Sequence, residues 1–295
     1  MAFFSFSPAH SAARRRFLTA GLYGAAGLAL YSGEIARHRF EVTEREVSLV
    51  GLPRSFDGIR IAQMSDIHLG EFTEPFFLRH LVDRVNRMQP DAVMLTGDFV
   101  TEGIGSKQYE LRAANLCAEV LSGLQCRDRF AVLGNHDFGV SAGYVAQVLR
   151  DRGIPVLRNA SVPLERGGDR IWIAGVDDPV VGQAAPDLAI PPAIRNLPDE
   201  PVVFLCHAPD YADTLLEQES GSSVGLMLSG HTHGGQVRLP FLGALELPEL
   251  GKKYVEGMFR LGAMQLYVNR GIGTIGLPFR LNCPPEITMF TLRKA

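Results

Sequence analysis

The sequence predicts an α/β (α+β) fold whose strands form mixed rather than purely parallel sheet. Three observations predict it. Short continuous apolar runs recur along the chain, amphipathic helical stretches separate them, and after about residue 221 strands dominate. A balance of 46% hydrophobic, 21% charged and 8% aromatic residues over 295 positions suits a globular chain. It excludes a disordered, collagen-like or coiled-coil one. A chain of this length can fold around one core.

The first forty residues are of a different kind. Arg14-Arg15-Arg16 precedes Phe17–Tyr31, a run of 15 uncharged residues rich in Gly and Ala. A positive cluster before a short apolar run is the architecture of an export signal. The order Arg14-Arg15-x-Phe17-Leu18 resembles the twin-arginine export motif of bacteria. The run is shorter than the roughly 20 residues that cross a bilayer comfortably. No clean A-x-A cleavage site follows Tyr31, so a retained membrane anchor is the alternative, and a buried N-terminal helix the plainer one. Residues 1–38 are therefore expected to be an export signal or anchor, and 39–295 the folded domain. The arginines place the N-terminus in the cytoplasm and the rest outside, with the twin-arginine machinery as an expected partner.

From Arg39 onward the elements follow in order. Val42, Arg45, Val47 and Leu49 make a first β-like run, closed by the Gly51-Leu52-Pro53 turn. Residues 59–64 read as a strand, 76–88 as a helix, 92–95 as a strand and 109–121 as a helix. Residues 130–133 read as a strand and 142–152 as a helix. Further strands fall at 171–174, 202–205, 224–228, 264–268 and 287–290. No internal repeat or low-complexity tract interrupts them.

Charge and cysteine exclude some partners. Lys plus Arg total 29 against 32 Asp plus Glu, a formal net charge of -3, so no nucleic-acid backbone is expected as partner. Cys117, Cys126, Cys206 and Cys283 form no CxxC pair. That excludes a disulfide scaffold and argues against a thiolate zinc site, leaving Cys117–Cys126 as one conceivable bridge.

Chemistry-bearing residues sit where strands end. In order they are Asp66-Ile67-His68, Gly97-Asp98, Gly134-Asn135-His136-Asp137, Cys206-His207 and Gly230-His231-Thr232-His233. Ligands bind at that edge of an open α/β sheet, because loops from several strands converge there. Any one of these pieces is more often a turn, a cap or a hydrogen-bonded histidine. All five in series point to a site. Asp66, His68, Asp98, Asn135, His207, His231 and His233 offer too many donors for one tetrahedral zinc, yet suit two ions sharing a carboxylate. Glycines at 97, 134 and 230 are expected to make tight turns that aim the next side chain into a cleft.

This series resembles the calcineurin-like metallophosphoesterases, from about Ile59 to Leu292 and with every motif residue present. The resemblance implies a four-layer sandwich, two mixed β-sheets flanked by helices, so that residues 39–295 would be a metallophosphoesterase domain. It implies one metal held by Asp66, His68 and His233, a second held by Asn135, His207 and His231, and Asp98 bridging them. His136 would be a general acid or charge stabiliser and no ligand, with Asp137 orienting its imidazole. Donors without thiolate favour Mn²⁺, with Fe or Zn²⁺ next. Arg270 and Arg280 are the cations to watch for substrate contacts, surface solvation being their plainer role.

A narrower resemblance rests on Gly175-Val176-Asp177-Asp178-Pro179, Gly230–Val237, Asn269-Arg270-Gly271-Ile272-Gly273 and Cys283-Pro284-Pro285-Glu286-Ile287. These look like an envelope-associated bacterial branch, some of whose relatives hydrolyse the pyrophosphate of UDP-2,3-diacylglucosamine in lipid A synthesis. The leading expectation is a dinuclear phosphoesterase acting on a phosphodiester or pyrophosphate of a small molecule or lipid at the envelope. The first alternative is UDP-2,3-diacylglucosamine hydrolysis on the cytoplasmic face. A non-catalytic, metal-stabilised envelope binding domain is another, which a free imidazole at His136 argues against.

Overall fold

The computed structural model describes residues 8–295, with side chains described from Arg14 onward. Helix α1 (Pro8–Leu30) leads into a π-turn and a 3₁₀ turn ending at His38. The first sheet holds β1 (Glu41–Leu49), β2 (Arg60–Met64), β3 (Ala92–Thr96), β4 (Asp128–Val132) and, from the far end of the chain, β13 (Glu286–Lys294). Between them run α2 (Pro75–Met88) and α3 (Lys107–Leu121), and after β4 comes α4 (Asn135–Arg150). The second sheet holds β5 (Ala160–Arg166), β6 (Asp169–Gly175), β7 (Val202–Leu205), β8 (Val224–Ser229), β11 (Gly257–Leu261) and β12 (Met264–Val268). Short helices α5 (Pro186–Ala189) and α6 (Tyr211–Leu216) flank it, and β9 (Arg238–Leu239) pairs with β10 (Gly243–Ala244) apart.

Both large sheets are mixed. The first runs β1-β13-β2-β3-β4, with β13 antiparallel to β2 and the other pairs parallel. The second runs β11-β12-β8-β7-β6-β5, parallel through its centre and antiparallel at both edge pairs.

Strand alternation explains the layering. Successive residues point to opposite faces, so a fully buried strand feeds two cores. Val93 and Leu95 of β3 pack with α2, α3 and α4, whereas Ala92 and Met94 face the second sheet. Val203 and Leu205 of β7 meet them there, while Val202 and Phe204 pack outward onto α5 and α6. Three apolar layers therefore separate helices, sheet, sheet and helices, the four-layer sandwich expected.

Some elements differ from the sequence reading. Helix α4 starts at Asn135, not near 142, because Asp137 at its third position accepts the Gly134 N–H at 3.0 Å and starts the helix early. A break at Ser141 divides that first part from the amphipathic stretch. Strands β5 and β11 go unread because they are partly exposed edge strands lacking a continuous apolar run. All four cysteines are free, so no Cys117–Cys126 bridge forms.

Among the described residues no helix is long and apolar enough to cross a membrane. Helix α1 is exposed from Arg14 to its end, but the junction after it is not. Ser32 and Gly33 are buried, the Arg280 amide donates to Ser32 O at 3.1 Å, and Arg37 and His38 reach Glu74 at 2.7 and 2.9 Å.

Candidate metal centre

Parallel strands of both sheets deliver their C-terminal ends to one edge. The loops after β2 and β3 zip together there, with Asp66 N donating to Gly97 O and His68 N to Asp98 O, each at 3.0 Å. The Asp66 carboxylate accepts the His231 amide of the second sheet at 2.9 and 3.0 Å, so it joins the two sheets at the site.

Two buried trios result. Donor atoms of Asp66, His68 and His233 lie within 4.8 Å of one another, and so do those of Asp98, His207 and His231. Asp98 Oδ2 stands 3.1 Å from His207 Nε2 and 3.5 Å from His68 Nε2, so one carboxylate oxygen faces both trios. Asn135 and His136 line the same cavity, at the N-terminus of α4. The amide of His136 donates to Asp98 Oδ1 at 2.9 Å, an anion placed where the helix dipole favours it.

Hydrogen bonds set the imidazole tautomers. Carbonyls only accept, so His207 Nδ1 donates to Thr96 O and His231 Nε2 to Glu249 O, each at 2.7 Å. Neutral rings then present a lone pair at His207 Nε2 and His231 Nδ1. His68 Nδ1 is held by Thr101 Oγ1 at 2.9 Å. Partners of this kind fix metal-ligating histidines. Thr96, Thr101 and Glu249 carry no sequence signal, since two act through main-chain carbonyls and one through an ordinary hydroxyl.

The residues fit a pair of cations. Asn135 Oδ1 is buried without a hydrogen-bond partner, which costs free energy unless something meets it, and His207 Nε2 faces the Asp98 carboxylate. The Nε2 atoms of His68 and His233 face each other at 3.1 Å. Asp66, His68, Asp98, His231 and His233 all have φ between 49° and 71°, a left-handed backbone that non-glycine residues adopt at a cost. Five of the twelve non-glycine residues with positive φ among the described residues thus fall in this one site, a clustering that points to a functional constraint.

The glycines act differently from expectation. Only Gly97, at φ 93°, needs a left-handed turn. Gly134 and Gly230 are required for space, because a Cβ would overlap the Asp98 carboxylate at the first and Ser65 and Asp66 at the second.

Burial governs the titrations. It carries His68 and His233 well below the ordinary histidine range, Asp98 opposing at both and Arg280 adding to the effect at His233. His231 falls to about 4, from burial and then the His207 charge. Burial would lower His207 too, but Asp98 beside it holds this ring well above its usual value. The Asp98 carboxyl, which burial alone would raise, is brought well below its range chiefly by His207.

Three roles need correction. Asp137 does not orient the His136 ring. Its carboxylate accepts the amides of Asp98 and Phe99 at 2.9 Å and of Gly134 at 3.0 Å, tying the Asp98 and Asn135 loops together. Burial, and then Asp98, push its carboxyl up. The His136 ring is met instead by the Glu102 amide, 3.4 Å from Nδ1. Nor are Arg270 and Arg280 solvated surface cations. Arg270 pairs with Glu286 and Glu41, and Arg280 is fully buried, donating to the His233, Arg270 and Cys283 carbonyls.

The family model for calcineurin-like phosphoesterases matches residues 59–235. The chain is 34% identical to an uncharacterized metallophosphoesterase, YkuE, of Bacillus subtilis (strain 168), over 94% of this chain and 93% of that one. It is 31% identical to phosphodiesterase YaeI of Escherichia coli (strain K12), over 95% and 98%. A 5'-nucleotidase precursor from Thermus thermophilus overlays 80% of this chain and 54% of its own, at 15% identity and a TM-score of 0.49. Family and trios together support a dinuclear divalent metal site. The chain belongs to the calcineurin-like phosphoesterase family and is a metal-dependent phosphoric ester hydrolase.

Proposed function

We propose that this chain hydrolyses a phosphodiester or pyrophosphate bond at the bacterial cell envelope, with Asp66, His68 and His233 holding one divalent ion and Asn135, His207 and His231 the other. The single observation that carries this reading is the Asp98 carboxylate shared between the trios, 3.1 Å from one imidazole and 3.5 Å from another. Two ions held there would supply an activated water at neutral pH and positive charge for the phosphoryl oxygens. All donors are nitrogen or oxygen, which favours Mn²⁺, then Fe or Zn²⁺. The name phosphodiesterase borne by the E. coli relative supports the bond class.

The chain's own residues do the rest. The Glu102 N–H points at His136 Nδ1, so that nitrogen accepts and the neutral ring carries its proton on Nε2. His136 lines the cavity and is only half-buried. Through its Nε2–H it is thereby placed to hold a phosphoryl oxygen or the leaving oxygen by a hydrogen bond. Asp137 keeps the Asp98 and Asn135 loops in register through its three amide contacts.

Location rests on Arg14-Arg15-Arg16 and the apolar run behind them, with residues 1–38 as signal or anchor and 39–295 as the catalytic domain. The chemistry is tested by turnover of bis(p-nitrophenyl) phosphate with added Mn²⁺, whose absence leaves the non-catalytic binding domain. Replacing Arg14 and Arg15 together by Lys keeps the charge and should trap active enzyme in the cytoplasm. If the parent protein itself faces the cytoplasm, UDP-2,3-diacylglucosamine hydrolysis on that face takes the place of the exported reading.

A further inference from the structure

The cavity over the trios has a volume of about 700 Å³ and two chemically unlike ends. Its floor carries Asp98, Asn135, His136, His231 and His233. Away from the floor it is lined by Leu239, Leu245, Leu277, Phe279 and Leu281, and by Ala25, Leu28, Ala29 and Ser32 of α1 and the turn after it. Those last four positions have the spacing i, i+3, i+4, i+7, one face of a helix. Helix α1 is thus a wall of the cavity as well as the segment that carries the arginines. Its docking is fixed at the base, where Gly33 lies against Phe279, with a Cβ there only 3.1 Å from the ring, and where the Arg280 amide holds Ser32 O.

Small hydrophilic phosphoesters leave such a wall without a partner. Leu28, Leu245 and Leu277 are each about half exposed or more, around the same opening. Elsewhere on α1, Phe17, Leu18, Leu22, Tyr23 and Leu30 are exposed and apolar. A helix apolar on every side belongs against lipid or protein rather than water. The cavity wall and these exposed apolar residues therefore belong to one helix, which reaches the phosphoester site.

We propose that α1 remains with the mature enzyme as one wall of an acyl-chain subsite, and that the substrate is an amphiphile whose phosphoester lies on the floor while its hydrocarbon chain lies along Leu28, Leu245 and Leu277. This rests on the phosphoesterase reading above. Hydrolysis itself is unchanged. A water oxygen joins phosphorus, the ester P–O bond breaks, and the leaving oxygen takes a proton.

The test uses the full chain in one detergent with added Mn²⁺ and a series of p-nitrophenyl alkyl phosphodiesters, methyl to hexadecyl, which share a leaving group and differ only in the chain. The expected result is a kcat/KM at least about a hundredfold higher for hexadecyl than for methyl. Leu28→Gln and Leu277→Gln should each cut that preference by about tenfold. Leu30→Gln, on the face of the same helix turned away from the cavity, should keep it. A flat series overturns the subsite while leaving the phosphoesterase standing. An equal loss with Leu30→Gln also overturns it, because the preference would then be partition into the micelle. Failure to cleave any member of the series, or bis(p-nitrophenyl) phosphate, overturns the catalytic reading and the subsite with it. Intact mass of protein taken from its own cells should retain Ala25–Ser32, and cleavage after Leu28 contradicts the proposal.

Discussion

The floor and the wall of the cavity are built by opposite means. On the floor the functional side chains follow the C-terminal ends of strands, those of the two trios are buried, and the carboxylates and most imidazoles are held by named hydrogen bonds, five of the residues in a left-handed backbone. The wall is apolar, partly exposed, and drawn from α1 and from stretches around 236–248 and 275–281 that belong to no large sheet. Rigid placement is needed where charge develops, because a preorganised donor costs no reorganisation during reaction. Selecting a substrate by its hydrocarbon part needs only area and shape. The floor therefore accounts for the reaction and the wall for its choice of substrate.

Substitutions on the floor probe that division. The largest effect is expected from His136→Ala, which should lower kcat by about 10²–10⁴-fold while both metals stay bound, since His136 faces the floor without joining either trio. Metal loss equal to that of Asp98→Ala would make His136 a ligand and erase its separate role. Asp137→Asn comes next. It keeps the shape but removes an acceptor from the amides of Asp98, Phe99 and Gly134, so metal affinity should fall by about 10–100-fold with the fold intact. Titration with Mn²⁺ against a competing chelator measures it, and unchanged affinity would show that Asp137 does not position the floor.

The smallest effect concerns pH and the metal-free protein. His231 has a folded value of about 4 against 6.5 when unfolded, chiefly from burial, and burial lowers His68 and His233 as well. Between those values the unfolded chain binds more protons, so stability is fully present above about 6.5 and is lost as pH falls toward 4. His207, raised by Asp98, and Asp137, raised by burial, work in the opposite direction. The three lowered rings outnumber these two groups and predict a net loss on acidification, read by denaturant unfolding in chelator. Stability rising as pH falls from 6.5 to 4 would contradict the burial of His68, His231 and His233 as neutral rings.

The grouping of the floor was legible in the sequence because each residue of the two trios stands close behind an apolar run that a buried strand explains. The layered fold was legible for the same reason, through strands such as 92–95 and 202–205. What was not legible depends on distance in the chain. Nothing near Asp137 says that its oxygens serve the amides of Asp98 and Phe99, 39 and 38 residues away. Arg280 reads as a surface cation until the carbonyls of His233 and Cys283 close around it. The wall was least legible, since Leu28, Leu245 and Leu277 share no periodicity and meet only in the fold.

The central claim is that two divalent ions share the Asp98 carboxylate. Elemental analysis of the gently purified, active full-length chain, beside Asp98→Ala, tests it most directly. Two metals per chain in the parent, with both depleted and turnover lost in the variant, is the predicted result. At most one metal per chain in fully active enzyme, or a variant that keeps both, would contradict it.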